Sequence, residues 1–353
     1  MPDTRFMKGN EALAEAAIRV GLTGYFGYPI TPQSEVVEYL AAQEPNYKYV
    51  LLQAESEVAS INMVYGAAGA GGRVMTSTSS PGFSLMQEGL SYIACAELPC
   101  VIYNASRGGP GLGTIQPSQG DYFQSVKGGG HGDYRLLTLA PNSVQEMVDH
   151  TALAFDLADK YQTPALILAD GAIGQIMEKV VLPDAKPYLP NKPWAATGKP
   201  KTRAKNLINS LYIESEELEK KNQRLQEKYQ QIEEAETRYE GYKLDDAEVV
   251  LVGYGVISRI AKKVVDLARE EGIKMGLMRP ITLWPFPSKV LAELAGRPNV
   301  RFFMSIEMSC GQMVEDVRLA VNGMKPVHFY GRSGGIVPTP DEVLTVAKGH
   351  LKS

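Results

Sequence analysis

The chain has 353 residues, 44% hydrophobic and 22% charged, with a formal net charge of -4 and four histidines. That composition is ordinary for a globular protein, leaves room for two domains, and offers no basic patch large enough to suggest nucleic acid. No apolar run reaches the ~18 residues that span a bilayer.

MPDTRFMKGN lacks the apolar core and small-residue cleavage site of an export signal, so none is expected there. Cys95, Cys100 and Cys310 form no CxxC pair. A structural zinc or an iron–sulfur cluster needs about four ligands, so no metal site is expected on this chain alone. Free thiols without an export signal fit a reducing cytoplasm, and all three read as small buried hydrophobes.

In chain order, GNEALAEAAIRVG has helical periodicity and ends on Gly21, a natural cap. GYFGYP, RVMTSTS, LPCVIYNAS, RLLTLAP and PALILAD are short apolar or β-branched runs bounded by Gly and Pro, as buried parallel strands should be. Helical segments such as VQEMVDHTALAFDLADKY separate them, a doubly wound α/β pattern. PDAKPYLPNKPWAATGKPK reads as an extended linker. Beyond it lie about forty residues rich in Glu, Lys and Gln. Leu211, Leu218, Leu225, Ile232 and Tyr239 fall there at steps of seven, predicting one long helix whose narrow stripe packs on its own protein. From Asp245 the α/β texture returns, with strands in AEVVLVGYG, KMGLMRP, VRFFMSIE and PVHFYG and a helix in ISRIAKKVVDLAREEG. The units expected are residues 1–185, an insert over 186–244, and 245–353.

Several motifs carry candidate chemistry. GYGVIS at Gly253 lacks the third glycine of a dinucleotide fingerprint and the ribose-binding acid ~20 residues on, so it predicts a tight βα turn, free to face a phosphate through the helix N-terminus. Asp170 in LADGAIGQ sits where a diphosphate–magnesium motif would begin. The completing asparagine is missing, because Asn191 comes too early, and Asp170 reads as a strand-end turn residue. Arg107 opens the glycine-rich loop SRGGPGLG, where a guanidinium can take a carboxylate by two parallel hydrogen bonds. His131, on a second glycine loop, would titrate near neutrality if it lined the same pocket. In GYPITPQSE two prolines fix the backbone around Thr31, and Thr31 or Ser34 could cap the next helix. Glu55 suits the dipole of the helix that follows it. Glu57 is different: it enters a helix with no further charge before Arg73, so it should be buried. A buried carboxyl is costly without a partner and favours its protonated form, which can donate a hydrogen bond.

Together, GNEALAEAAIRVG, GYPITPQSE, QAESEVASINMVYGAAGAG, SSPGFSLMQEGLSYIACAELPCV, SRGGPGLG, SQGDYFQ, HGDYR and RPITLWPFP resemble the α subunit of the 2-oxoacid:ferredoxin oxidoreductases, over nearly the whole chain and in order. The details are most similar to the branched-chain (2-oxoisovalerate) member, with the 2-oxoglutarate and pyruvate enzymes as alternatives. The resemblance implies an α/β fold: a pyrimidine-type thiamine-diphosphate-binding doubly wound domain, a helical insert, and a transketolase-C-terminal-like domain. It implies coenzyme A-dependent oxidative decarboxylation of a 2-oxoacid, with electrons passing to ferredoxin. Thiamine diphosphate would be shared with a β subunit carrying magnesium and an iron–sulfur cluster, alongside a γ subunit and a ferredoxin-like δ subunit. Glu57 falls on the family's pyrimidine-activating glutamate, Thr31 and Arg107 on the pair that grips the substrate carboxylate, and Pro29 and Phe83 on positions lining cofactor and pocket. Thr114, Ile115 and Gln116 receive no assigned contact. The rival readings are a nicotinamide-dependent dehydrogenase using the Gly253 turn, a structural subunit that has lost its site, and a non-redox transketolase-like enzyme.

Overall fold

The computed structural model describes residues 3–185, 191–199 and 201–352. Part of the expected Pro- and Lys-rich linker, at 186–190 and 200, lies outside the described residues. Strand β1 (Asp3–Lys8) runs straight into α1 (Gly9–Arg19), whose start is fixed by Glu11 accepting the Lys8 amide at 3.1 Å. Then come β2 (Gly24–Gly27), α2 (Ser34–Gln43), β3 (Val50–Gln53), α3 (Glu57–Gly69), β4 (Val74–Thr78), α4 (Ser80–Leu85), α5 (Gln87–Cys95) and β5 (Cys100–Ser106). After them follow α6 (Tyr122–Val126), β6 (Leu137–Leu139), α7 (Val144–Tyr161), β7 (Pro164–Asp170), α8 (Gly171–Gln175) and β8 (Met177–Leu182). The rest comprises α9 (Ser215–Glu236), β9 (Tyr239–Tyr242), β10 (Val249–Val252), α10 (Gly255–Glu270), β11 (Met275–Pro280), β12 (Thr282–Trp284), α11 (Ser288–Ala295), β13 (Phe302–Glu307), α12 (Met313–Val321), β14 (Val327–Gly331) and α13 (Pro340–Lys352).

The main sheet has the order β12-β6-β7-β5-β4-β2-β3, parallel except for β12. Every residue of β4, β5 and β7 is buried, because helices cover both faces of a parallel sheet. The second sheet, β14-β13-β10-β11-β9, is likewise parallel apart from β9. Two short strands depart from the simple reading in chain order. Strand β9 precedes Asp245 yet joins the second sheet, and β12 returns from the second region to the far edge of the first. An antiparallel ribbon of β1 and β8 closes over α1 and α7.

The helical insert corrects the predicted stripe. Helix α9 covers only Ser215–Glu236, so Leu211 lies before it, 67% exposed, and Tyr239 lies beyond it in β9. The buried face is Leu225, Tyr229 and Ile232, an i, i+4, i+7 set that joins the main core. The stripe does pack on its own protein, but it is two turns long. Glu97 anchors the same inward side of the helix through ion pairs with Lys221 and Lys228, and reaches Arg224 as well.

Candidate active site

All strands from β2 to β7 run parallel, so the residues that follow them gather along one edge of the sheet. Strand β2 lies between β3, which follows it in sequence, and β4, so the chain direction reverses between β2 and β4. Ligands of open α/β sheets bind in the crevice at such a switch point. Thr31 follows β2, Glu57 follows β3, Phe83 follows β4 and Arg107 follows β5. The fold thus brings together residues spread over 76 positions.

Glu57 is the first residue of α3, and Ser56 caps that helix by accepting the Ala59 amide at 3.2 Å. Its side chain points inward, with the residue only 5% exposed. No described residue donates a hydrogen bond to its carboxyl. The neighbouring wall is Gly82, where an added Cβ would lie 2.7 Å from Glu57 Cγ and closer still to Glu57 Oε1 and Thr78 Oγ1. With no donor among the described residues, the carboxyl is free to take a hydrogen bond from a group that enters the crevice. Gly82 had no signal in the sequence, because its role is set by a helix twenty-five residues away.

Arg107 is 9% exposed and uses two of its five N–H donors, Nη1 to the Thr31 carbonyl at 2.9 Å and Nη2 to the Leu112 carbonyl at 3.2 Å. Its Nε is buried without a partner. The loop it opens closes on itself through the Arg107–Pro117 bridge and the Gly108 amide on the Gln116 carbonyl at 3.0 Å. Gly113 makes the turn at φ +57°, so near the Gly108 carbonyl that no side chain fits. Ser80 accepts the Arg107 amide at 2.9 Å and donates to Asp121, which also takes the Asn104 amide at 2.9 Å.

The turn carrying Thr31 is held from behind. The Pro32 carbonyl accepts from Asn10 at 2.8 Å and from Gln175 at 2.9 Å, while fully buried Gln33 donates to the Tyr28 carbonyl at 3.3 Å and accepts from Ser77. Neither Thr31 nor Ser34 caps α2; Gln33 occupies that position without a side-chain cap bond. Thr31 itself is exposed, and it meets Arg107 through its carbonyl, leaving its hydroxyl without a partner among the described residues. Pro29 is exposed nearby. Phe83 has no exposed surface and belongs to the core, so it underpins α4 instead of lining an open wall.

A cleft of about 420 Å³ separates the Arg107 loop from the second sheet, lined among others by Ser80, Arg107, Asp121, Cys310 and Gln312. Cys310 is exposed on this cleft, against the expectation that all three cysteines are buried. His131 does not border it; that residue is exposed elsewhere, its carbonyl accepting from Ser91 at 2.7 Å. Asp170 is more than a turn residue. It is 1% exposed, caps α8 at Ile173 and accepts the Val256 amide at 2.8 Å. Burial pushes its carboxyl up to about 6. It therefore fills the α10 N-terminus at the Gly253 turn, where a phosphate was considered. Among the described residues no group of three or more His, Cys, Asp or Glu could hold a metal ion, and no helix is long and apolar enough to cross a membrane.

Fold and site together define a thiamine-diphosphate-type domain paired with a second α/β domain. The family profile described as "Pyruvate flavodoxin/ferredoxin oxidoreductase, thiamine diP-bdg" matches residues 15–244, and "Pyruvate:ferredoxin oxidoreductase core domain II" matches residues 247–343. The chain belongs to the 2-oxoacid:ferredoxin oxidoreductase family of multi-subunit enzymes. It is 53% identical to the ketoisovalerate oxidoreductase subunit VorB of Methanothermobacter marburgensis, over 94% of each chain. To the 2-oxoglutarate synthase subunit KorA of Methanocaldococcus jannaschii it is 36% identical, covering 96% of this chain and 97% of that one. It also superposes on a 2-oxoglutarate:ferredoxin oxidoreductase from Magnetococcus marinus, solved with 2-oxoglutarate, coenzyme A and succinyl-CoA, with a TM-score of 0.87 and 28% identity. That match covers 99% of this chain and 66% of the other. A split-gene transketolase, at 13% identity and a TM-score of 0.61, shares the fold.

Proposed function

We infer that this chain is the α subunit of a branched-chain 2-oxoacid:ferredoxin oxidoreductase, acting on 2-oxoisovalerate with coenzyme A. The observation that carries the reading is Glu57, a buried residue whose side chain faces Gly82 and whose carboxyl takes no hydrogen bond from a described residue. That is the environment an aminopyrimidine ring requires of its partner acid. When bound, thiamine diphosphate supplies the nucleophilic carbon and takes up the electrons released by decarboxylation. Glu57 holds the proton at N1′ of the ring. Arg107, with three donors unused, takes the substrate carboxylate by a charge-assisted fork, and the Thr31 hydroxyl stands beside it. Pro29 borders the same crevice, and Phe83 keeps α4, and with it Gly82, against Glu57.

Among the described residues lining the cleft, Arg107 is the sole cation. A second carboxylate, as in 2-oxoglutarate, would find no counter-charge there. Leu112 and Ile115, 81% and 57% exposed on the same loop, offer apolar surface to a branched chain. Magnesium and the iron–sulfur cluster would belong to a β subunit, with γ and δ subunits and external ferredoxin completing the cytoplasmic complex. The outer face of α3 (Val58, Asn62, Gly66) carries no charge, and edge strand β3 exposes Val50 and Leu52, uncharged surfaces that would suit that β subunit. Residues 1–185, 186–244 and 245–353 serve as cofactor domain, insert and second domain.

The test is coenzyme A-dependent dye reduction by the purified complex with 2-oxoisovalerate, 2-oxoglutarate and pyruvate. The expected result is kcat/KM at least ~10-fold higher for 2-oxoisovalerate, and loss of turnover by orders of magnitude in Glu57→Gln with the complex still assembled. Equal rates on all three acids would remove the substrate assignment, and full activity of Glu57→Gln would remove the site.

A further inference from the structure

Three cations converge on one carboxylate just beyond α5. Glu97 pairs with Lys221, Arg224 and Lys228, and none of the three pairs with a second acid among the described residues. Three cations against one carboxylate leave two positive charges over. Much of that charge is out of water, since the side chains of Lys221 and Lys228 are 6% and 13% exposed. Burial first, and then the charges of Lys221 and Arg224, pull the Lys228 ammonium below its ordinary value in spite of Glu97. An excess of one sign at that depth is costly, and a bound anion relieves it. The acids of α9 do not supply that anion. Glu219 and Glu227 line a different groove, and Glu236 is the sole acid of the helix that forms an ion pair with a described residue, to Lys160 and Arg238.

The cluster opens on a cavity of about 380 Å³, whose wall includes Glu97, Lys221, Arg224, Lys205, Trp194 and Tyr212. Glu97 is the sole acid among the described residues lining it, and the undescribed residues nearby in sequence, KPYLP at 186–190 and Pro200, contain none. Lys205 forms no ion pair with a described residue, and the Arg224 side chain is 62% exposed and bonds Glu97 through Nη2 alone. Both cations are thus free to meet a ligand. The volume exceeds what a lone phosphate fills and lies in the range of small-molecule sites. Two aromatic side chains beside a cationic cluster suit a ring joined to phosphate, because a base can lie on an aromatic face while its phosphates meet guanidinium and ammonium groups. The cavity is also remote from the crevice of Glu57 and Arg107. Glu97 precedes β5 and Gln162, also on the wall, precedes β7, whereas Arg107 follows β5; that strand's seven residues span ~20 Å. We propose that this cavity binds a nucleoside phosphate, with its phosphates on Arg224 and Lys205 in the field of Lys221 and Lys228, and its base against Trp194 and Tyr212. The site is separate from the catalytic crevice, and its existence does not depend on the function assigned to that crevice.

The experiment titrates ADP by calorimetry into the complete complex, with coenzyme A held at saturation so that any coenzyme A site is already filled. One ADP should bind per copy of this chain. Its Kd should rise at least ~10-fold in Arg224→Glu and in Lys205→Glu, two exposed positions whose replacement leaves the rate of dye reduction unchanged. Trp194→Leu should weaken ADP by about 10-fold, and inorganic phosphate, which has no base, should bind the parent at least ~10-fold more weakly than ADP does. ADP should also slow proteolysis within 205–236 in the parent and not in Arg224→Glu. The proposal is overturned by any of four results: no binding of ADP at ~1 mM, equal ADP affinity in the parent and both charge-reversed variants, equal affinity for ADP and inorganic phosphate, or ADP binding that coenzyme A abolishes. The last would make the cavity a coenzyme A site.

Discussion

Replacing Gly82 with alanine tests the site without touching a titratable group. The added Cβ would stand 2.7 Å from Glu57 Cγ, where ordinary contact begins at 3.4 Å, and nearer still to the Glu57 and Thr78 side-chain oxygens. Glu57 must therefore retreat by about 0.7 Å at Cγ and further at the carboxyl. The clash falls on the ends of two side chains, so the fold should survive at a cost of about 1–3 kcal/mol, read as a Tm lower by a few degrees. Catalysis should suffer far more, because a misplacement of ~1 Å at a reacting group costs about 10²-fold. The assay is dye reduction by the complete complex under saturating 2-oxoacid and coenzyme A. The expected result is kcat down by about two orders of magnitude with the 2-oxoacid KM little changed, since Arg107 is not in the contact. Gly349→Ala is the control: nothing lies within 4 Å of its added Cβ in α13, so activity should hold and stability rise slightly. Turnover of Gly82→Ala within ~3-fold of the parent would refute the idea that Glu57 works from its present position.

Arg107→Lys keeps the charge but loses the planar fork, so KM for the 2-oxoacid should rise about 10- to 100-fold with kcat less affected; an unchanged KM would place the substrate carboxylate elsewhere. Asp170 carries the other measurable pH signature. Its folded value is raised above the ordinary carboxylate value of 3.8 to about 6, so its contribution to stability is complete below pH 4 and lost as pH rises through 6. Thermal scans of Asp170→Asn against the parent should therefore diverge by about 3 kcal/mol in the variant's favour between pH 4 and 7, and a constant offset would contradict the burial argument. Glu97 has the opposite sign: Lys221 and Lys228 hold it at about 2 in spite of burial, so it stabilises above its ordinary 4.5 and ceases to do so only as pH falls towards 2. Glu97→Gln should loosen α9 by roughly 2 kcal/mol at pH 7, discounted for partial exposure, and speed proteolysis within 205–236; unchanged cleavage would mean that the apolar face alone holds the helix.

The parts of this fold legible in the sequence are those whose signal is local. Strands β5 and β7 are unbroken apolar runs because both faces are covered, and α1 and α7 carry their period and caps within a dozen or so residues. Strands β1 and β8 escaped because DTRFMK and MEKVVL are dotted with charges and pair across some 170 residues. The heptad spacing through Leu211 and Tyr239 misled because a spacing does not show where a helix ends, and Tyr229, which completes the buried face, falls between the steps of seven. At the site, the burial of Glu57 could be read from the uncharged helix behind it. Gly82 could not, since its meaning depends on what stands opposite in space. Gln33 and Gln119 are fully or nearly fully buried amides whose partners come from distant segments, and a glutamine carries no mark of that in sequence.

Gln119 shows why the second domain matters to a site formed mostly by the first. Its main-chain amide donates to the Met308 carbonyl at 2.9 Å, its side-chain oxygen accepts the Met308 amide at 3.1 Å, and its side-chain nitrogen reaches the Tyr254 carbonyl at 2.9 Å. Ser118, one residue earlier, bonds the same Met308 carbonyl and returns its amide to Ser106 at the base of the Arg107 loop. On the other side, Glu307 has no exposed surface, and its carboxylate accepts the amides of Gln312, Met313 and Val314 and the hydroxyls of Ser305 and Ser309, fixing the turn that carries Met308. The guanidinium is thus held at one end by the Thr31 turn and at the other by a loop fastened to the second sheet. A shift of that sheet would move the Arg107 guanidinium while Glu57, in α3 and walled by Gly82, stayed in place, so the roles proposed for Arg107 and Glu57 rest on separate supports within one chain.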